Sequence, residues 1–91
     1  MKYSYFLVFL LLTLNSFGQE ETQQLIVSGI KAMYEKDYET SLELHTRART
    51  QAEENNHPEQ LFLALNNIGL NYFSMLDYGE ALDYYLEAYT I

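Results

Sequence analysis

Two histidines and a few paired carboxylates are the residues of this chain whose types could support acid–base chemistry or bind a metal. A metal site needs several ligands close together, and neither His45 nor His57 has the spacing to a second histidine or to a glutamate that a zinc-binding helix shows. We predict that His45 is packed and hydrogen-bonded in the apolar face of a helix, and that His57 is exposed in a loop. Glu53 and Glu54 have the pattern of a solvated helix end. No metal site is predicted.

Nucleophilic catalysis has equally little support. Ser28, Ser41 and Ser74 lack the G-x-S-x-G surroundings of a hydrolase nucleophile, and there is no glycine-rich phosphate loop. The absence of cysteine excludes a disulfide scaffold, a thiolate metal site, a cysteine nucleophile and a lipid-anchored cysteine. We therefore predict no catalytic residue and no cofactor. A small enzyme remains the alternative, and it would have to show turnover that disappears when a carboxylate or histidine is changed.

The composition is that of one small globular domain. The chain has 91 residues, of which 48% are hydrophobic and 20% are charged. Five Lys and Arg residues stand against thirteen Asp and Glu residues, so the net charge is −8. Contact with phosphates needs clustered positive charge, which this sequence lacks, and a nucleic-acid partner is not expected.

Residues 1–18 have the organisation of a secretory signal peptide. A basic start at Lys2 precedes the apolar run 5–12, and Ser16 and Gly18 place small residues at positions −3 and −1 before Gln19. The run is about half the roughly 20 residues that a transmembrane helix needs. We expect export to the periplasm or the extracellular space, leaving four basic against thirteen acidic residues, a net charge of −9. An uncleaved membrane anchor and a buried helix of the domain are the alternatives.

The remaining chain has the periodicity of four helices, at residues 22–34, 38–54, 59–75 and 78–91. In the first, Ile26, Gly29, Ile30 and Met33 share one helical face. The polar run 53–58 is predicted as a loop, in which Pro58 suits the first turn of the helix that follows. The helices form two consecutive hairpins.

The two hairpins are copies of each other with an offset of 40 residues. The segment 37–42 matches 77–82, Gly29 matches Gly69, and Ala48 matches Ala88. We predict that the recurring glycine and alanine lie where two helix backbones approach closely. The chain then divides into a first hairpin at 19–54, a loop at 55–58 and a second hairpin at 59–91.

These landmarks resemble the tetratricopeptide repeat (TPR) family. The second copy carries the family's pattern closely, and the first copy carries it in a divergent form. The matching residues are Leu65, Ile68, Gly69, Tyr72, Ala81, Tyr85 and Ala88 in the second copy, and Leu25, Ser28, Gly29, Ala32, Ser41, His45 and Ala48 in the first. The resemblance implies an all-α fold in which two antiparallel helix–turn–helix hairpins stack as the start of an α-solenoid. The family's usual period is 34 residues, and we expect the additional residues to extend the second helix and the loop before Pro58.

The last helix is rich in tyrosine. Tyr78, Tyr85 and Tyr89 fall on the stripe that we predict to face the core, whereas Tyr84 lies off that stripe and is expected to be exposed. Packing is therefore the predicted role of most of these rings, rather than a binding platform.

The resemblance also implies a binding groove lined by the first helix of each hairpin. Carried over by repeat position, the groove residues are Ile26, Ile30 and Met33 from the first copy and Leu63, Asn66, Asn67, Leu70 and Phe73 from the second. Some TPR domains clamp a partner's terminal carboxylate with basic residues and asparagine. Asn67 matches the asparagine, but Ile26 and Ile30 replace the basic and polar residues. We expect a hydrophobic helix or extended peptide in this groove, with Asn66 and Asn67 bonding its backbone. The alternative is that further repeats cover the groove.

The predicted function is an exported, non-catalytic protein–protein interaction module with a protein or peptide partner. Because solenoids generally need three or more repeats, and Leu82, Leu86 and Tyr89 face where a next repeat would stack, we expect the front part of a longer protein. The alternative is the N-terminal sensor region of a TPR-containing signalling protein, either a histidine kinase or a DNA-binding regulator. Contact with a membrane is expected only if the signal stays uncleaved or a downstream helix exists.

Overall fold

The computed structural model describes the backbone of residues 4–91 and the side chains of residues 17–91. Within that part of the chain there are four α-helices and no strand: α1 (Ser4–Tyr34), α2 (Tyr38–Glu54), α3 (Pro58–Ser74) and α4 (Tyr78–Tyr89). The predicted all-α class is confirmed. Almost all of the predicted signal peptide, residues 1–18, lies outside the described side chains.

Each helix packs against the next one in the chain, and α1 also contacts α3. This arrangement is two stacked helical hairpins, as predicted. Where the hairpins meet, Ile26 of α1, Ala48 of α2 and Ala64 of α3 form a buried cluster. Two small alanine side chains let the three helices approach one another closely, and the single isoleucine fills the space between them.

The three turns between helices share one geometry. Each turn has three residues, and its middle residue has a left-handed backbone, with φ of 64° at Lys36, 53° at Asn56 and 66° at Leu76. In each turn the third residue donates its N–H to a carbonyl five residues back, as His57 does to Ala52 at 2.9 Å. This is the Schellman motif, which satisfies the last carbonyls of one helix immediately before the next helix begins.

The third residue of each turn also caps the following helix. Asp37 and Asp77 accept hydrogen bonds from the backbone N–H groups of Thr40 and Glu80 through their carboxylates. His57 does the same in the middle turn, where its Nδ1 accepts from the Gln60 N–H at 3.2 Å. The prediction that His57 is merely exposed in a loop was wrong, because a neutral imidazole supplies the acceptor that aspartate supplies elsewhere.

The helix bounds differ from the predicted ones at several ends. Helix α2 spans the predicted residues, α3 begins one residue early at Pro58, and α4 ends at Tyr89. The predicted helix 22–34 is the carboxyl-terminal part of a longer α1. The expected long loop before Pro58 is a three-residue turn, because Glu53 and Glu54 remain helical. Two 17-residue helices and two short turns fill the 40-residue offset.

Glycine recurs for a different reason than the predicted approach of two backbones. A Cβ atom placed on Gly29 would lie 2.6 Å from Nε2 of His45, and one placed on Gly69 would lie 2.7 Å from Cε1 of Tyr85. In each hairpin the first helix therefore leaves room for an aromatic ring of the second helix. The backbone itself comes close only at Gly69, where the Ala81 carbonyl would be 3.3 Å from the added atom.

The tyrosines of α4 are arranged differently from the prediction. Tyr84, expected to be exposed, is half-buried and stacks on Tyr72 of α3 with ring centroids 5.6 Å apart. Tyr78 and Tyr89, expected in the core, are exposed, and Tyr85 is half-buried. The physical reason is that α4 packs against α3 on one side only. The opposite side of α4 keeps its apolar residues on the surface.

Candidate peptide-binding surface

Helices α1 and α3 lie side by side and are fixed to each other by polar as well as apolar contacts. Gln60 Nε2 donates a hydrogen bond of 2.8 Å to the Gln19 carbonyl, and Ile26 packs into the cluster that contains Ala64. Because these helices are the first of each hairpin, their outward sides form one continuous surface. That surface is the place where the sequence predicted a groove.

The structure divides the eight predicted groove residues into three groups. Ile26 and Asn67 are 2% and 8% exposed, so they hold the helices together instead of facing outward. Phe73 is exposed but belongs to another side of α3, where its ring packs against Tyr78 of α4 at 5.3 Å. The remaining five are half-buried or exposed: Ile30, Met33, Leu63, Asn66 and Leu70. Burial of Asn67 leaves Asn66 as the asparagine whose amide is open to a ligand.

Two residues of α1 were missed by the sequence analysis. Val27 is 55% exposed and Tyr34 is 80% exposed. They lie seven residues apart, which is two helical turns, and Ile30 falls on the same side between them. Val27 occupies the position equivalent to Asn67, so the 40-residue offset applied to Asn67 was the signal that could have found it. We call the combined patch the inner surface, formed by Val27, Ile30, Tyr34, Leu63, Asn66 and Leu70.

The inner surface carries no charge, since none of its six side chains is ionisable at neutral pH except the weakly acidic tyrosine. The ion pairs of the protein lie elsewhere. Arg49 of α2 bonds Glu53 Oε1 at 2.8 Å and Glu87 Oε1 of α4 at 2.5 Å, on the side formed by the second helices. These side chains are partly exposed, so each pair contributes at most about 1 kcal/mol.

A buried chain of hydrogen bonds holds three helices in register behind this surface. Ser41 Oγ of α2 donates to the Gly29 carbonyl of α1 at 2.6 Å, and Asn71 Nδ2 of α3 donates to Ser41 Oγ at 2.9 Å. The same amide donates to the Asn67 carbonyl at 3.0 Å. Because buried polar groups are costly to leave unpaired, this chain favours one relative placement of the hairpins.

His45 is packed as predicted, but the predicted hydrogen bond is absent. Its side chain is completely buried, and neither ring nitrogen has a hydrogen-bond partner among the described residues. Burial lowers the pKa of His45 to about 4, because the charged imidazolium would lose its hydration. At neutral pH the ring is therefore uncharged and sealed from solvent, and it has no access to a substrate.

The described residues were also considered for metal and membrane contacts. Across residues 17–91 no group of three or more His, Cys, Asp or Glu side chains is placed to hold a metal ion. No helix in the described part of the chain combines the length and the apolar character needed to cross a bilayer.

Comparison with known proteins agrees with the repeat geometry. The family model described as tetratricopeptide repeat matches residues 29–91, which cover both hairpins except for the first part of α1. No curated protein and no solved structure gave a significant match. With two stacked hairpins, recurring glycines and a matching family model over most of its length, the chain belongs to the tetratricopeptide repeat family.

Proposed function

We propose that this protein is an exported, non-catalytic interaction module whose inner surface binds an uncharged, apolar segment of a partner protein. The observation that carries the proposal is the contrast between a neutral inner surface and a chain with a net charge of −8. Repeats of this family serve protein–protein contacts, and the inner surface is where the first helices of both hairpins lie together.

The chemistry of the inner surface selects the kind of segment. Without lysine or arginine it offers nothing to a terminal carboxylate or a phosphate, and without aspartate or glutamate it offers nothing to a basic peptide. Burying a partner's charge against Val27 or Leu63 would cost several kcal/mol of desolvation without compensation. Apolar side chains of a helix or an extended peptide fit this surface, and the half-exposed Asn66 amide can bond the partner's backbone.

Peptide selection on the immobilised protein tests this proposal. We expect a displayed random library to yield peptides with uncharged, apolar contact positions, and calorimetric affinities of the selected peptides that change little with salt. Leu63→Glu and Leu70→Glu should each weaken binding by at least tenfold, because each places a charge in the contact.

The matched control is Leu82→Glu, which places the same charge on exposed α4 and leaves the inner surface intact. Selected peptides that depend on acidic or basic residues would contradict the proposed chemistry. Equal losses in all three variants would contradict the proposed location.

Export is the second part of the proposal, and it rests on the basic start, the apolar run and the small residues before Gln19. The hydrogen bond that joins α3 to α1 reaches the Gln19 carbonyl, so it would survive cleavage after Gly18. Expression in a bacterial host and mass spectrometry of the exported fraction test this part. We expect a chain that starts at Gln19, and accumulation of the uncleaved chain for Gly18→Leu. A cell-retained chain of full mass would refute export.

A further inference from the structure

A second apolar surface lies on α4, on the side turned away from α3. Leu82, Leu86 and Tyr89 are spaced by four and three residues, so they form one stripe along the helix. They are 56%, 54% and 81% exposed, and Tyr78 continues the stripe one turn earlier. Four large apolar or aromatic side chains in a row are more than the scattered exposure that a soluble surface normally shows.

Helix α3 extends this surface. The exposed residues Phe62 and Phe73 are eleven residues apart, which is three helical turns, so they point to one side of α3. The Phe73 ring packs against the Tyr78 ring at 5.3 Å and so joins the two helices. We call the combined patch the outer face, formed by Phe62, Phe73, Tyr78, Leu82, Leu86 and Tyr89. None of its side chains carries a charge at neutral pH.

The equivalent face of the first hairpin is covered, and its contacts show how the outer face differs. There, Ser41 bonds Asn71 of α3 and Arg49 bonds Glu87 of α4. At the equivalent positions the outer face has Ala81 and Tyr89, so neither polar contact can form. Thr46 stays exposed in the first hairpin, yet its equivalent is the apolar Leu86. The apolar area on α4 is therefore wider than the face that a stacked hairpin covers.

We propose that the occupant of the outer face is the outer face of a second copy, related by a two-fold axis. A head-to-tail arrangement would instead place the free side of α1 on it, and that side carries the exposed polar residues Gln24, Ser28 and Lys31. Those residues would lose hydration against leucine and tyrosine without gaining partners. Two-fold pairing buries apolar surface against apolar surface, and it keeps the many carboxylates of an acidic chain out of the contact.

The available area is sufficient for such a pair. Large side chains such as these have about 150–250 Å² of surface each, and here roughly half of it is exposed, which gives on the order of 700 Å² per copy. A standard stable interface buries about 800 Å² per partner. The outer face therefore approaches the size of a specific interface rather than that of an incidental contact.

Single-cysteine cross-linking tests the proposal cleanly, because the chain has no native cysteine. We expect at least one of Leu82→Cys, Leu86→Cys and Tyr89→Cys, each made in the full chain, to form a covalent dimer with a short bismaleimide. Ser28→Cys on the free side of α1 should remain monomeric. A mixture of Ser28→Cys and Leu86→Cys should give no mixed dimer, and formation of that mixed dimer would replace the two-fold arrangement with a head-to-tail one.

Sedimentation of the same chain gives an independent measurement. We expect a concentration-dependent dimer that is complete by about 100 μM, as a Kd in the micromolar range requires. Leu86→Glu should weaken dimerisation at least tenfold, whereas Thr46→Glu places the same charge at the equivalent position of α2 and should not. Both residues are exposed, so unchanged far-UV circular dichroism is expected for both.

A monomer across the dilution series, with no self-linking of the three α4 cysteines, would overturn the proposal and leave the outer face to a different protein or to a further hairpin. Equal weakening by both glutamate variants would overturn it as well, because it would place the contact elsewhere.

Discussion

The imidazole of His45 fills the space that any side chain at residue 29 would need, so Gly29 and His45 are a matched pair across the first hairpin. Both residues are buried, and an added Cβ would come within 2.6 Å of the ring. The second hairpin repeats the pair as Gly69 and Tyr85, although Tyr85 is only half-buried. Which of the two rings can move out of the way decides how much each glycine matters.

Substitution of Gly29 should therefore be the more damaging of the two. We expect Gly29→Ala to lower the free energy of unfolding by about 1–3 kcal/mol, since His45 has no room to retreat. Gly69→Ala should cost less, because the Tyr85 ring can shift towards solvent. Urea titrations followed by circular dichroism measure both values. Gly79→Ala is the control: an added Cβ there meets nothing within 4 Å, so we expect a gain of about 0.5–1 kcal/mol.

The stability of the fold should depend on pH through His45. Its pKa in the folded protein is about 4, below the usual value of 6.5, so the unfolded chain binds more protons between these two values. Stability is therefore complete above about pH 6.5 and falls as the pH is lowered towards 4. From these two pKa values, we expect a loss of about 2 kcal/mol between about pH 7.5 and pH 5.

Two variants separate His45 from the other contributions to this pH dependence. His45→Phe should remove the loss of about 2 kcal/mol, because phenylalanine does not titrate. His57→Asn should keep it, because asparagine still offers an oxygen to cap α3 but leaves His45 untouched. Parallel pH dependences in the wild-type protein and in His45→Phe would show that His45 is not the buried titrating group.

Leu76 is the least suitable of the three left-handed residues in the turns, because its branched side chain conflicts with a φ of 66°. We expect Leu76→Gly to raise the free energy of unfolding by about 1 kcal/mol, since glycine has no Cβ to strain. Leu76→Ala keeps the Cβ and should gain little, so it separates strain from the loss of an exposed leucine. Thermal melting of the two variants side by side is sufficient, and an equal gain in both would argue against backbone strain.

The bond between Asn71 and Ser41 should be worth more than either group alone. We expect Asn71→Ala to cost about 1–3 kcal/mol, because it leaves the Ser41 hydroxyl with one contact fewer in a buried place. In a double-mutant cycle with Ser41→Ala, the coupling should be about 1 kcal/mol. Strict additivity of the two losses would mean that the hydrogen bond adds nothing to the packing of α3 on α2.

The helices could be predicted from the sequence because the signals that start and stop them are local. Asp37 caps α2 within three residues, and Pro58 opens α3, so α2 spans the predicted residues and α3 is displaced by one. The orientation of α4 could not be read in the same way. Tyr84 and Tyr85 are adjacent, and periodicity alone does not tell which of two neighbours faces a helix that covers only one side.

The inner surface was only half predictable for a related reason. Repeat position placed Ile30, Leu63, Asn66 and Leu70 on the outward side, but it did not reveal that Asn67 is nearly covered. Burial of that residue depends on how closely α1 and α3 approach, and the small side chains and polar bonds behind the surface set that distance. Such information is contained in pairs of residues far apart in the chain and not in a local pattern.

The common geometry of the three turns bears on how this chain could have grown. Because Lys36, Asn56 and Leu76 lie 20 residues apart and each turn makes the same hydrogen bonds, the start and end of a helix are encoded independently of the neighbouring helices. A duplication can therefore begin at any of these turns and still add a whole number of helices. The segment from Lys36 to Leu76, which joins halves of both hairpins, is as complete a unit of inheritance as either hairpin itself.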